Sequence, residues 1–188
     1  PLRRVPGAHA GRSVRMDPRI LWKRPESRFL ILFLSILGIS FTVIALKPVN
    51  DAFVVPYTTL IARVSGTILG LLGEDITING CVLRSPRFAV TIYNVCNGLI
   101  TSLIFVSGVL AFPAKWSAKF IGVIGGLLAI QAINLVRIIS LFYIGIFLPK
   151  LFNSSHIFIW QSLVILAGVA LWVTWAHPFA VPVKREAD

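Results

Sequence analysis

Acidic groups are scarce in this chain: seven Asp and Glu stand against 18 Lys and Arg. No acidic residue stands near the candidate histidine described below, so a carboxylate that would orient its imidazole is missing from the pattern. Cysteine and histidine are also few, two and three respectively. Scattered as they are, they offer no metal-ligand spacing, which excludes a structural zinc site, and no cofactor is expected. Internal repeats and low-complexity segments are absent. Met16 is the only methionine, and Met16-Asp17-Pro18-Arg19 reads as a natural start, which makes residues 1–15 an upstream extension set aside from the fold.

What the chain has in abundance is apolar surface. The hydrophobic fraction is 56% and the mean hydropathy +0.85, values of a polytopic membrane protein rather than a soluble domain. The net charge of +11 raises nucleic acid as a partner. Eight of the 18 basic residues, however, fall between Arg3 and Arg28, just before the first apolar run. That is the flank expected of a cytoplasmic arm under the positive-inside rule. No basic-aromatic groove pattern accompanies it, so no nucleic acid is expected.

The fold expected is an all-α polytopic membrane protein with about four transmembrane helices, an outer interfacial amphipathic helix and a small extracytoplasmic β-hairpin. Residues 1–28 form a basic cytoplasmic arm, 29–181 an integral membrane catalytic domain, and 182–188 a cytoplasmic tail. Residues 29–46 are uncharged and long enough to cross outward. Lys47-Pro48-Val49-Asn50-Asp51 breaks that run. In 57–72, Leu60, Ile61, Val64, Ile68, Leu71 and Leu72 recur on one helical stripe. This helix could span, with Arg63 near mid-bilayer at a cost of roughly 2.5–3.5 kcal/mol, or lie in the outer interface. The interfacial placement is favoured.

Residues 76–83 alternate around Asn79-Gly80, a hairpin signal, and 88–92 form a further β-like run. Then come the spans: 98–111 inward, 120–148 outward after an inside loop with Lys115 and Lys119, and 157–176 inward. Trp172 and Trp175 form an aromatic belt before Lys184-Arg185.

Three residue types in these runs invite chemistry. Cys96 follows the β-like run in Tyr93-Asn94-Val95-Cys96-Asn97-Gly98-Leu99, at the start of a helix, where unpaired N–H groups favour a thiolate. A cysteine there is also an ordinary packing residue, or half of a Cys81–Cys96 disulfide. Gly98 would let backbone approach a substrate closely. Arg137 lies inside the third span, about 16 Å from its outer end by helical rise. Intramembrane arginines are costly and by default mark functional sites. Asn134, one turn earlier, shares its face. His156 opens the last span and has a pKa suited to act as base and then acid. With the interfacial placement, Cys96, Arg137 and His156 all come from the outer ends or outer halves of three spans. Nucleophile, base and oxyanion stabiliser together are the set for acyl transfer through a thioester. Asn97 and Asn134 are the polar candidates for orienting the histidine. The competing reading is a non-catalytic bundle or transporter subunit that binds an anion at Arg137.

Cys96-Asn97-Gly98-Leu99, Asn134-Leu135-Val136-Arg137-Ile138 and the single outer His156 resemble the exosortase/archaeosortase family of membrane cysteine transpeptidases over roughly residues 50–165. The short length is similar to the exosortase H type. The resemblance implies Cys96 as nucleophile, Arg137 as stabiliser of the intermediate and His156 as general base or acid. It also implies the substrate: secreted proteins ending in a short motif, one transmembrane helix and a basic tail. These would be cleaved and passed to an acceptor, whether water or a lipid or glycan amine. The setting implied is a bacterial inner membrane, multi-pass and surrounded by lipid, with the active site facing the extracytoplasmic side.

Overall fold

A computed structural model describes residues 24–179, so Met16, His9, most of the basic arm and the Lys184-Arg185 flank lie outside the described residues. Five helices and one small sheet make up the chain: α1 (Pro25–Ala45), α2 (Lys47–Leu71), β1 (Thr77–Asn79), β2 (Val82–Arg84), β3 (Ala89–Thr91), α3 (Leu99–Ala111), α4 (Trp116–Phe147) and α5 (Pro149–Phe179). Four of them, α1, α2, α4 and α5, are long and apolar enough to cross a membrane. The mostly helical membrane fold with a small antiparallel sheet is therefore present as expected.

Which helices are long differs from the reading of the sequence. The break after α1 is a single extended residue, Leu46 (ψ 127°), after which Pro48 sits comfortably in the first turn of the next helix. The helix expected from Tyr57 thus begins at Lys47 and reaches 25 residues, passing through a π-helical turn at Asn50–Val54. By contrast α3, read as a span, has 13 residues, about 20 Å of rise.

The face of α2 also turns out differently. Its buried stripe is Thr58, Ile61, Ala62, Ser65, Gly66 and Leu69, while Leu60, Val64, Leu71 and Leu72 point outward. In lipid the outer face must be apolar, and protein contacts favour small residues that allow close approach. Periodicity finds the helix here, but the larger side chains mark its outside.

The sheet has the order β1-β2-β3, antiparallel throughout, with Thr77 opposite Arg84 and Arg84 opposite Ala89. The expected hairpin closes through Gly80 (φ +60°), and the β-like run supplies the third strand. The inner face of the sheet packs into a core with Ile61, Ala62, Leu69, Ile138 and Phe142. Phe88 lies edge-on to Phe142 at 5.8 Å and so close to Gly145 that any Cβ there would collide with it. Arg87 pairs with Glu74 at 2.6 Å and lies 5.9 Å above the Phe147 ring, tying the sheet to the ends of α2 and α4.

The opposite end of the bundle gathers aromatics. Phe29 of α1 sits 6.3 Å from Phe112 and 5.7 Å from Trp172, and Trp175 donates from Nε1 to the Ala118 carbonyl at 3.2 Å. Trp172 and Trp175 are thus half-buried packing residues as well as a girdle. The α1 start, the α3–α4 loop and the end of α5 share one end of the molecule, and the sheet occupies the other.

Candidate active site

Between these ends, at the foot of the sheet, the residues singled out in the sequence meet. The turn that follows β3 is fixed by its own main chain: the Cys96 N–H donates to the Tyr93 carbonyl at 2.8 Å. Asn97 is fully buried and used at both ends of its amide. Its Oδ1 accepts from the Leu99 N–H at 2.9 Å, satisfying an orphan donor at the start of α3, and its Nδ2 donates to Thr58 Oγ1 at 2.8 Å. Thr58 in turn donates to the Val54 carbonyl at 2.8 Å, just where the π-helical turn of α2 ends. A chain of hydrogen bonds therefore locks the cysteine turn to α2.

Gly98 holds φ +79°, a left-handed conformation that side chains rarely adopt. A Cβ there would lie 2.8 Å from Gln131 Nε2 and 3.2 Å from Asn134 Cγ. The close approach that glycine allows is thus to α4, and it seats Cys96 over the polar stripe Gln131, Asn134 and Arg137. Asn134 is fully buried beneath Gly98, and neither atom of its amide has a partner among the described residues. Asn97 and Asn134, considered for orienting the histidine, both sit under the cysteine turn instead.

Cys96 itself is 7% exposed and Arg137 3%. The Sγ of Cys96 lies 2.8 Å from His156 Nε2, and Arg137 Nη2 points at the same sulfur from 3.9 Å. Both cysteines are free thiols, so no Cys81–Cys96 disulfide forms. Burial raises the Cys96 thiol above its ordinary pKa, while the Arg137 charge and a hydrogen bond with the Tyr93 backbone work in the opposite direction. His156 is carried by a π-helical turn, Ser155–Trp160, a distortion that often marks functional sites. Its ring stacks on Phe152, with centroids 6.2 Å apart and planes 5° from parallel. Stacking on Phe152 therefore orients the imidazole in place of a carboxylate.

In the ten residues of α4 that follow Arg137, Phe142 and Gly145 pack on Phe88 of the sheet, beside exposed Arg84 and Arg87. Arg137 marks the base of that cap.

A cavity of about 630 Å³ opens on Cys96 and His156. Residues 88–93 form one wall, Ile138 and Leu141 of α4 another, and Phe152, Asn153 and His156 the third. A second crevice of about 290 Å³ between α1, α3 and α5 is lined by apolar side chains apart from Thr101 and lacks titratable groups. Among the described residues no cluster of His, Cys, Asp and Glu could hold a metal ion.

Sequence reasoning had not found Thr58, Gln131 or Phe152. Thr58 was legible only as a polar residue diluting a helix, and Gln131 as an interruption of a long apolar run. Phe152 carried no polar signal at all.

A family model described as transmembrane exosortase matches residues 20–173. No curated protein and no solved structure matches the chain.

Proposed function

Since the chain belongs to the transmembrane exosortase family, whose members are in general membrane sorting transpeptidases, we propose that it cleaves the C-terminal sorting signal of secreted proteins through a thioester on Cys96. The supporting observation is the convergence of three groups from separate elements: Sγ of Cys96, Nε2 of His156 at 2.8 Å and Nη2 of Arg137 at 3.9 Å.

The proposed steps follow from these distances. His156 Nε2 takes the Cys96 proton, and the thiolate attacks the carbonyl carbon of the scissile amide. The charge that develops on the carbonyl oxygen falls to Arg137, whose guanidinium is a fixed cation in a buried setting. Collapse of the intermediate breaks the C–N bond, and the His156 imidazolium returns its proton to the departing amine. The acceptor then attacks the thioester: water, or an amine of a lipid or glycan. His156 takes the acceptor's proton, and the Cys96 thiol is restored. Partial shielding from water favours an amine over hydrolysis.

The substrate proposed carries a short motif, one transmembrane helix and a basic tail. Lateral docking of that helix beside the bundle would present its flanking segment to the cavity. The basic tail would orient it by the same charge rule that orients the enzyme. The proposed setting is the bacterial inner membrane, with the site open to the extracytoplasmic side.

Co-expression with a tailed protein encoded in the same genome tests this directly. The wild-type chain should shorten the tailed protein, and Cys96→Ala, Arg137→Ala and His156→Ala should not. Shortening by all three variants would sink the reading.

A further inference from the structure

One wall of the catalytic cavity is a strand edge. β3 is the outermost strand of the sheet, paired on one side only with β2. Which of its main-chain groups are used can be read from the register. The Ser85 N–H donates to the Phe88 carbonyl at 2.8 Å, and the Ile92 N–H donates to the Cys81 carbonyl at 2.8 Å. In an antiparallel pair, hydrogen-bonded and non-hydrogen-bonded positions alternate. Phe88, Val90 and Ile92 therefore turn their N–H and C=O groups towards β2. Ala89 and Thr91 turn theirs away, and among the described residues those groups meet no partner.

Unpaired edges are a hazard that proteins cover, charge or twist away. This one carries no charge, only Ala89, Val90 and Thr91, and it lines the cavity that holds Cys96 and His156. Its direction matters too. The strand runs through Ile92 and Tyr93 into the cysteine turn, so the free edge leads along the chain to the nucleophile.

We propose that the free edge of β3 receives the substrate as an added strand, an extended polypeptide segment that pairs with the main chain of Ala89 and Thr91 and delivers its scissile carbonyl to Cys96. The proposal rests on the transpeptidase reading above and names how that site binds its substrate. An extended peptide is the occupant because alternating outward N–H and C=O groups match a polypeptide main chain, and strand addition is a general mode of peptide capture. From Ala89 to Tyr93 the edge spans about 13 Å at strand rise, room for roughly four substrate residues. Alternate side chains of the added strand would face Ile138, Leu141 and Phe152 across the cavity, which predicts apolar or small residues at every second position.

Proline at position 91 removes an outward N–H and leaves the bonds to β2 in place, as edge positions permit. With the tailed protein as reporter, Thr91→Pro should lower processing at least tenfold. Iodoacetamide should still alkylate Cys96 in the same membranes within about twofold of the wild-type rate. Processing by Thr91→Pro at the wild-type rate overturns the proposal. A second measurement covers a proline that disturbs the turn. In a Cys81→Ser, Cys96→Ala background, Thr91→Cys is oxidised against reporters with single cysteines at successive positions before the cleavage point. Disulfides at every second position support an added strand; a spacing of three to four, or no cross-link at any position, overturns it. A wild-type chain that fails to shorten the reporter would overturn the transpeptidase reading instead, so the two failures are distinct.

Discussion

Cys96 Sγ lies 2.8 Å from His156 Nε2, although 60 positions separate the two residues in the chain. The contact joins the turn below a strand to a π-helical turn at the start of the last helix, so it forms only when the fold brings the two elements together. Phe152 stacks on the imidazole and fixes its plane.

If His156 is the base, that contact sets the pH at which the thiol ionises. Burial lifts the Cys96 pKa above its ordinary value of 9.0, so without a base the thiol is protonated at neutral pH. Thiolate reacts with iodoacetamide and thiol does not. In His156→Ala the alkylation rate should therefore keep rising with pH beyond 9. In the wild type, proton transfer to Nε2 should bring the rate to a plateau at lower pH. Identical pH profiles for the two proteins would remove His156 from the role of base.

Arg137 calls for a different comparison. Loss of one donor to a developing oxyanion typically lowers turnover about 10²–10³-fold, and Arg137→Ala should fall in that range when single-turnover shortening of the tailed protein is followed. Arg137→Lys keeps a charge but loses the planar fork, and an ammonium would have to reach the point that Nη2 occupies 3.9 Å from Sγ. Its rate should lie between the two. A Lys variant as fast as the wild type would mean that charge alone suffices there.

Much of the candidate site was legible in the sequence because its thiol, guanidinium and imidazole are out of place in or beside apolar runs. A guanidinium, an imidazole and a thiol two residues before a glycine stand out against leucine and isoleucine whatever the packing. The supporting residues do not stand out. Asn97 and Thr58 are paired across 39 positions, and Thr58 is an unremarked polar residue on a helix until that partner is seen. The orientation of α2 was hidden for a physical reason: periodicity reports that a helix has two faces, but lipid reverses which of them is the apolar one. Its N-terminal extension was hidden because Lys47-Pro48 signals both the end of one helix and the first turn of another. The third strand, Ala89–Thr91, was visible as a β-like run, whereas its free edge could be seen only once the register was known.

Thr58 supplies the acceptor that holds Asn97, and through it the start of α3. Replacing it with valine keeps the shape and leaves a buried amide N–H unpaired, a cost of roughly 1–3 kcal/mol. Thr58→Val should lower the melting temperature of the detergent-solubilised protein. It should also slow shortening of the tailed protein by displacing the cysteine turn. Thr58→Ser restores the hydroxyl and should recover the rate. If Thr58→Val destabilises the fold while its rate stays unchanged, Thr58 acts on stability and does not position Cys96.

The two ends of the bundle decide where α2 can lie. Phe29, at the start of α1, packs on Phe112 and Trp172, so α1 begins at the same end as the α3–α4 loop. The sheet packs on the last turns of α4, at the other end of a 32-residue helix. If the basic residues before α1 are cytoplasmic, the α3–α4 loop is cytoplasmic too, and the sheet lies outside. The helix α2 then starts where α1 emerges and ends beside the sheet, on one side of the membrane, even though its 25 residues are enough to cross. In a Cys81→Ser, Cys96→Ala background, an impermeant maleimide applied to intact spheroplasts should label Asp75→Cys, just before β1. Ser117→Cys, in the α3–α4 loop, should be labelled only after lysis. The reverse pattern would turn the whole bundle over and place Cys96 in the cytoplasm, where no secreted substrate could reach it.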